Sequence, residues 1–320
     1  MLTRKLDRTD MEVAALCLGG NVFGWTTDEE TSFAVLDTYF AGGGNFIDTA
    51  DVYSTWVPGH TGGESEAIIG RWMSARKNRD RVVIATKVGS RMGTAPNARG
   101  LSRRYIMEEV EASLKRLQTD YIDLYQAHQD DQDTPLDETL GAFNDLVRQG
   151  KVRHIGASNY SASRLRQALQ ISDQHGYTRY VSVQPPYSLV NREAYERELE
   201  PLCLEQGLGV ITFSSLASGF LSGKYRSGKD LPSSPRAKGV KDRYMNEKGF
   251  RVLAQLDRVA AAHHVSVAQV ALAWIIARPS ITAPIASATS VAQARELLSA
   301  VNLKLSQEDI AALDRVSAWK

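Results

Sequence analysis

Four side chains are spaced so that together they could move a proton onto a carbonyl oxygen: Asp48, Tyr53, Lys87 and His128. Each lies at or just beyond the end of a short apolar run: NFIDTA from Asn45, VVIATKVG from Val82 and YIDLYQAH from Tyr121. A phenol has an ordinary pKa of about 10 and is a poor acid near neutrality. A neighbouring ammonium favours the phenolate and lowers that value; Lys87 is the ammonium on offer, and Asp48 would keep it charged and oriented. His128 would hydrogen-bond a substrate oxygen or the tyrosine. Such a quartet suits protonation of a carbonyl oxygen while another group delivers hydride, a general-acid contribution of roughly 10²–10⁴ in rate. Singly, these residues also fit structural roles: a Lys–Asp ion pair, or a satisfied core histidine. Their convergence is what favours chemistry.

What must position them is a repeated unit. Short apolar, β-branched runs begin near Ala15 (ALCLGG), Asn45, Val82, Tyr121, His154 (HIGASN), Val181 (VSVQPPYS), Gly209 (GVITFSS) and Ile281 (ITAPIASA). Most lack polar alternation, as expected of parallel strands buried on both faces. The segments between them have helical patterns. Thr27 can cap a helix with Glu30 three residues on, and Phe33, Leu36 and Phe40 then share a face. Ser102 opens another, with Ile106, Val110, Leu114 and Leu117 as its stripe, and Arg251 to Ala277 reads as a third, ended by Pro279. Eight β-then-α units predict an α/β fold, a (β/α)₈ TIM barrel in one domain over residues 1–320. A doubly wound sheet would announce a dinucleotide site by GxGxxG after its first strand. Neither Gly19, Gly20 and Gly24 nor Gly42, Gly43 and Gly44 fits that spacing. One connection stands out: residues 217–249 are rich in Gly, Ser, Pro and basic side chains and read as a long basic loop after the seventh strand. In a barrel of this kind the chemistry sits at the C-terminal strand ends, where all four residues fall.

Composition narrows the classes. Charged residues are 23% and the net charge is +1, without the basic excess of a general nucleic-acid binder. Cys17 and Cys203 are too few for a disulfide framework or a Cys-rich zinc site and read as buried thiols of a reducing compartment. MLTRKLDRTDMEV has no apolar leader core, and VALAWIIA (residues 270–277) is too short to span a bilayer. The expectation is a cytoplasmic protein with no nucleic-acid or membrane partner and no metal. His60, His128, His154, His175, His263 and His264 form no chelating pair; His263 and His264 diverge by about 100° on a helix. A glycoside hydrolase needs two carboxylates across one bond, and the fourth and seventh strands end in His128 and Phe213-Ser214-Ser215 instead. A Schiff-base aldolase could use Lys87 as nucleophile.

These motifs resemble the aldo-keto reductase superfamily. NFIDTA followed by EAIIG (residues 66–70), ATKVG, YIDLYQAH, KVRHIGASN, VSVQPPYSLV and ITFSSLASGFLSGKY look like successive signatures of that family, from about Leu16 to Leu305. The resemblance implies an NAD(P)H-dependent reduction of an aldehyde or ketone, or its reverse, with Tyr53 as proton donor and Asp48, Lys87 and His128 as its partners. It implies that Ser158, Asn159 and Gln184 hold the nicotinamide carboxamide, that Gly20 also binds the cofactor, and that Phe213 takes the stacking place usually held by a tyrosine. Ser214, Leu216, Gly219, Leu221, Gly223 and Lys224 would line the pyrophosphate, and Ser287, Thr289, Gln293, Glu296 and Leu297 the adenosine end.

Two departures bear on specificity. The stretch between Asp48 and Glu66 is longer than in the short family signature, with Trp56, Pro58, His60, Gly62 and Gly63 inserted. Trp56, with Asn21 and Trp25 of the first loop, is expected to shape a small-molecule carbonyl or alcohol site, a surface plug being the plainer role for Trp56. The adenosine segment offers hydroxyls, an amide and nearby Arg295 where NADPH-preferring members set a Lys or Arg. NADPH is the default cofactor, with NADH or dual use open. Some family members are regulatory potassium-channel subunits that bind the nucleotide and turn over slowly, and the loop lengths here look nearer that branch. Substrate, reaction direction, regulatory partner and oligomeric state stay open at the level of sequence.

Overall fold

A computed structural model describes residues 1–6, 9–94 and 98–319. The eight runs form strands β3 (Cys17–Gly19), β4 (Phe46–Asp48), β5 (Val83–Val88), β6 (Ile122–Ala127), β7 (Val152–Ser158), β8 (Tyr180–Gln184), β9 (Gly209–Thr212) and β10 (Ala283–Ala286). They close into a parallel barrel in chain order, β10 pairing with both β9 and β3. The continuous apolarity of the runs now has its reason. On β5, Val83 and Ala85 pack inside the barrel while Ile84 and Val88 pack against the outer helices. Lys87 continues the inward series, and Thr86 points to the helix side. On β6, Leu124 and Gln126 precede His128 in the same alternation.

The outer layer is α1 (Glu29–Ala41), α2 (Glu64–Arg76), α3 (Arg103–Leu117), α4 (Leu136–Arg148), α5 (Ala162–His175), α6 (Glu200–Gln206), α7 (Ala237–Tyr244), α8 (Glu247–His263), α9 (Val267–Ile276), α10 (Val291–Ala300) and α11 (Gln307–Ser317). Ser102 caps α3 by accepting from the Tyr105 N–H, and its expected stripe is buried. Three expectations need correction. Asp28, not Thr27, caps α1, accepting from the Thr31 N–H at 2.8 Å; the Thr27 hydroxyl instead donates to the Val22 carbonyl. The stretch Arg251 to Ala277 is not one helix: α8 and α9 meet at 95°. His264 turns left-handed, with φ 54°, and Ser266 with Gln269 forms a capping box that starts α9. The long loop of residues 217–249 holds a 3₁₀ segment, Ala217–Ser222, and α7.

One element escaped the sequence reading altogether. β1 (Thr3–Lys5) and β2 (Glu12–Ala14) form an antiparallel hairpin. Leu6, Met11 and Val13 from it join Cys17, Phe46, Ala85, Leu124, Ile211 and Ala283 in the cluster that fills the barrel interior. The hairpin thus stoppers the end opposite Asp48 and Lys87. Among the described residues no single helix is long and apolar enough to cross a membrane.

Candidate active site

The structure brings Asp48, Tyr53, Lys87 and His128 together at the open end. Lys87 is fully buried. Its Nζ donates to Asp48 Oδ1 at 2.6 Å, to the Thr49 carbonyl at 2.8 Å and to the Tyr53 hydroxyl at 3.0 Å. An ammonium has three donors, so this one is satisfied completely. The Tyr53 hydroxyl also lies 3.4 Å from Asp48 Oδ1. His128 stands edge-on to the Tyr53 ring, centroids 6.0 Å apart. Its Nδ1 is buried without a hydrogen-bond partner among the described residues.

Tyr53 reaches this place from a loop, not a strand. Ser54, directly after it, is buried with φ 77°, a left-handed conformation costly for a non-glycine residue. The Ser54 hydroxyl donates to the Phe23 carbonyl at 3.0 Å, tying the loop after β4 to the loop after β3. Nothing in the local sequence announces this anchor.

The electrostatics follow from burial around one ion pair. Burial pushes the Tyr53 hydroxyl up, Lys87 pulls it down and Asp48 pushes it up again, leaving it at about 12. The lowering expected from Lys87 is present but smaller than the desolvation. Burial works against the charge on Lys87, yet Asp48 and the Tyr53 oxygen outweigh it and hold its proton affinity above that of an exposed lysine. Burial, aided by the nearby Lys87 charge, drives His128 down to about 3, so its imidazole is neutral at ordinary pH.

The residues expected at a nucleotide are spread around the same mouth. The Ser158 hydroxyl donates to the Gln184 carbonyl at 2.9 Å, and Asn159, with φ 57°, donates from Nδ2 to the His128 carbonyl at 2.9 Å. The Gln184 side-chain amide donates to Asp48 Oδ2 at 2.8 Å. Gly20 accepts from the Ser65 hydroxyl and donates its N–H to the Asp48 carbonyl at 2.7 Å. A Cβ there would lie 2.8 Å from Ser65 Oγ, so the close approach needs glycine. Phe213 is half-buried beside Pro186.

After Phe213 the chain takes left-handed φ at Ser214, Ala217, Ser218, Gly219 and Gly223. Such runs form backbone concavities suited to anions. The N–H groups of Gly219 and Leu221 already donate to the Leu216 carbonyl and that of Gly223 to the Phe220 carbonyl, so these three amides are spoken for within the turn. Lys224 is the lysine that follows this turn. The Leu221 and Leu297 side chains belong to the core. Gln293 Oε1 accepts from the Thr289 N–H and hydroxyl, and the Ser287 hydroxyl donates to Asn21 Oδ1 at 2.6 Å. Glu296 is half-buried on α10. The turn-rich backbone after Phe213, a cation and a half-buried, hydroxyl-rich helix start have the polar character that a dinucleotide would need.

Trp25 and Trp56 meet edge-on, centroids 5.3 Å apart, and Trp56 is 6.1 Å from the Tyr53 ring. Trp56 is 46% exposed. The sequence reading missed Arg236, whose guanidinium lies 4.9 Å from the Trp25 ring centroid. Its charge is felt at Lys224, and Tyr53 is felt at Arg236, so the long loop brings a second cation to the mouth. The only signal in the sequence was the basic character of that loop.

Comparison with known proteins agrees with this architecture. The model of the aldo/keto reductase family matches residues 15–318. A protein of Bacillus subtilis (strain 168) named uncharacterized oxidoreductase YrpG is 39% identical over 316 residues, covering 97% of this chain and 94% of that protein. Norsolorinic acid reductase B of Aspergillus parasiticus is 33% identical over 320 residues, covering 95% and 81%. A probable voltage-gated potassium channel subunit beta of Arabidopsis thaliana is 33% identical over 310 residues, covering 95% and 92%. An eight-stranded barrel and a family match across nearly all of its length place the chain in the aldo/keto reductase family, as an NAD(P)-dependent oxidoreductase of the carbonyl-reducing kind.

Proposed function

We propose that the protein reduces an aldehyde or ketone to the alcohol, or runs the reverse, with Tyr53 as the group that gives or takes the proton. The observation that carries this reading is the position of Lys87 Nζ, 2.6 Å from Asp48 and 3.0 Å from the Tyr53 hydroxyl. When bound, the nicotinamide supplies the hydride. Lys87 stabilises the phenolate that remains once Tyr53 has released its proton, and Asp48 keeps Lys87 aligned. His128, neutral, hydrogen-bonds the substrate oxygen and orients the carbonyl toward Tyr53.

Ser158, Asn159 and Gln184 hold the carboxamide, with Gly20 beside them, and Phe213 offers a flat apolar face. Ser214, Leu216, Gly219, Leu221, Gly223 and Lys224 shape the pyrophosphate wall, and Arg236 adds countercharge. Ser287, Thr289, Gln293, Glu296 and Leu297 serve the adenosine end. NADPH is the favoured nucleotide, the hydroxyls and amide of this segment binding phosphate together with the cations of the long loop. Asn21, Trp25 and Trp56 wall a ring-bearing carbonyl substrate.

A Schiff-base nucleophile must be a neutral amine; Lys87 has all three donors engaged and a raised proton affinity, which argues against an aldolase. The channel-subunit name of the Arabidopsis relative favours a second role, nucleotide binding with slow turnover. The experiment is titration of the protein with NADPH and with NADH by tryptophan fluorescence, followed by a panel of carbonyl substrates. Saturable quenching with steady turnover supports the reductase, tight binding without turnover the regulatory role, and no binding to either nucleotide overturns both.

A further inference from the structure

Behind Lys87 and Tyr53, on the helix side of β4 and β5, lies a second set of charged groups that the proposed reaction does not use. Glu66 of α2 accepts from the Thr86 hydroxyl at 2.5 Å and from Arg116 Nε at 2.6 Å. The same Arg116, on α3, donates from Nη2 to Glu109 at 2.5 Å. One guanidinium therefore serves two carboxylates. Asp51 is the third carboxyl of this layer and is fully buried. Its Oδ1 accepts the Val52 N–H at 2.6 Å, and its Oδ2 has no partner among the described residues. Among the described residues its charged neighbours are Glu66, Glu109 and Arg116, the last already engaged by both carboxylates. The tyrosines that face the cluster, Tyr105 and Tyr125, are buried as well.

Asp51 stands between the two ends of the proposed proton machinery. Thr49 and Asp51 extend the β4–β5 ladder, their N–H groups donating to the Ala85 and Lys87 carbonyls at 2.8 and 3.3 Å. From inside the barrel, Lys87 Nζ grips the Thr49 carbonyl at 2.8 Å. Two residues on, the chain delivers Tyr53. The turn is thus held from the barrel side by Lys87, while the buried Asp51 carboxyl braces it locally by accepting the Val52 N–H. An ionised carboxylate there would be an unpaired buried charge beside two others of its own sign, which is strongly disfavoured.

We propose that Asp51 is a positioning residue, a neutral buried carboxyl that fixes the turn carrying Tyr53 over Lys87. Burial first, and then Glu66 and Glu109, push its carboxyl well above the usual carboxylate range. This proposal rests on the reading of Tyr53 as proton donor, and its test separates the two.

Asp51→Asn keeps the shape, the neutrality and an oxygen for the Val52 N–H. It should retain kcat within about 3-fold, whereas Asp51→Ala, which frees the turn, should lose about 10- to 100-fold in kcat with nucleotide affinity unchanged. Infrared difference spectra of wild type minus Asp51→Asn at pH 7 should show the C=O stretch of a protonated carboxylic acid. Full activity in Asp51→Ala, an Asp51→Asn loss as large as that of Asp51→Ala, or a carboxylate band in place of the acid band would each overturn the proposal. If Asp51→Ala does not fold, the infrared band and the activity of Asp51→Asn decide it. Tyr53→Phe, assayed alongside, tests the underlying reading by itself: normal turnover there removes Tyr53 from the chemistry and leaves the infrared result on Asp51 standing.

Discussion

Gln184 donates its side-chain amide to Asp48 Oδ2 at 2.8 Å. The bond crosses the barrel mouth, joining β8 to the strand four places round the ring, β4. It links a residue proposed to hold the nicotinamide to the carboxylate that orients Lys87. Replacing Gln184 by Met should therefore damage both functions together. The expected result is nucleotide affinity weaker by about 10-fold, the loss of a hydrogen bond or two at ~1 kcal/mol each, with a fall in kcat at saturating nucleotide. Steady-state kinetics with separately measured nucleotide binding checks this; a change in binding alone would show that Asp48 does not need the bond.

Tyr53→Phe removes the hydroxyl and keeps the ring against Trp56 and His128. Turnover should fall by roughly 10²–10⁴, the scale of a general-acid contribution, while nucleotide affinity holds within about 3-fold. Single-turnover rates at saturating nucleotide are the measurement.

His128 gives a pH prediction with a definite sign. Its folded value, about 3, lies below the ordinary value of 6.5. Between those two values the unfolded chain binds a proton that the folded protein refuses. Stability contributed by the neutral ring is present above pH 6.5 and is lost as pH falls toward 3. Urea denaturation from pH 7 to pH 4 should show this slope, and His128→Asn should flatten it. The same refusal means that turnover should show no inflection from His128 between pH 5 and 8.

Gly70 tests how α2 docks on α3. A Cβ at Gly70 would lie 2.2 Å from the Arg116 carbonyl oxygen and 2.7 Å from the Leu117 carbonyl carbon. Alanine is the better helix former by about 1 kcal/mol, but the atoms it meets are backbone and cannot rotate away. Gly70→Ala should destabilise by ~1–3 kcal/mol, read from urea midpoints at constant m-value. Because Glu66, one helical turn earlier, holds Arg116, turnover should fall with stability.

The barrel and the grouping of the four residues were legible because continuous apolar runs recur eight times, each ending in small or polar residues at the strand end. Asp48 follows Phe46, Lys87 follows Val83 and Ala85, and His128 follows Leu124 and Gln126, each at a period of two. What the sequence hid depends on contacts between distant segments. Ser54 looks like an ordinary loop serine until its left-handed backbone and its bond to the Phe23 carbonyl are seen. Arg236 is one of several basic residues in its segment, and only the folded loop picks it out by laying it on Trp25. The hairpin strands TRK and EVA are three residues each, too short for any periodicity to register. The α8–α9 break was readable from Ser266 and Gln269, but the unbroken apolar pattern on either side masked it.

The N-terminal hairpin has one more consequence. With Leu6, Met11 and Val13 packed among the interior side chains, the barrel end opposite Asp48 and Lys87 is filled among the described residues. If Tyr53 gives a proton as proposed, that proton would be replaced through the same open end by which nucleotide and substrate would come and go. On the reading proposed above, the loops bearing Trp25, Trp56 and Arg236 would then regulate two kinds of traffic at once, and a substrate that covered them would leave Tyr53 a single proton to give per visit.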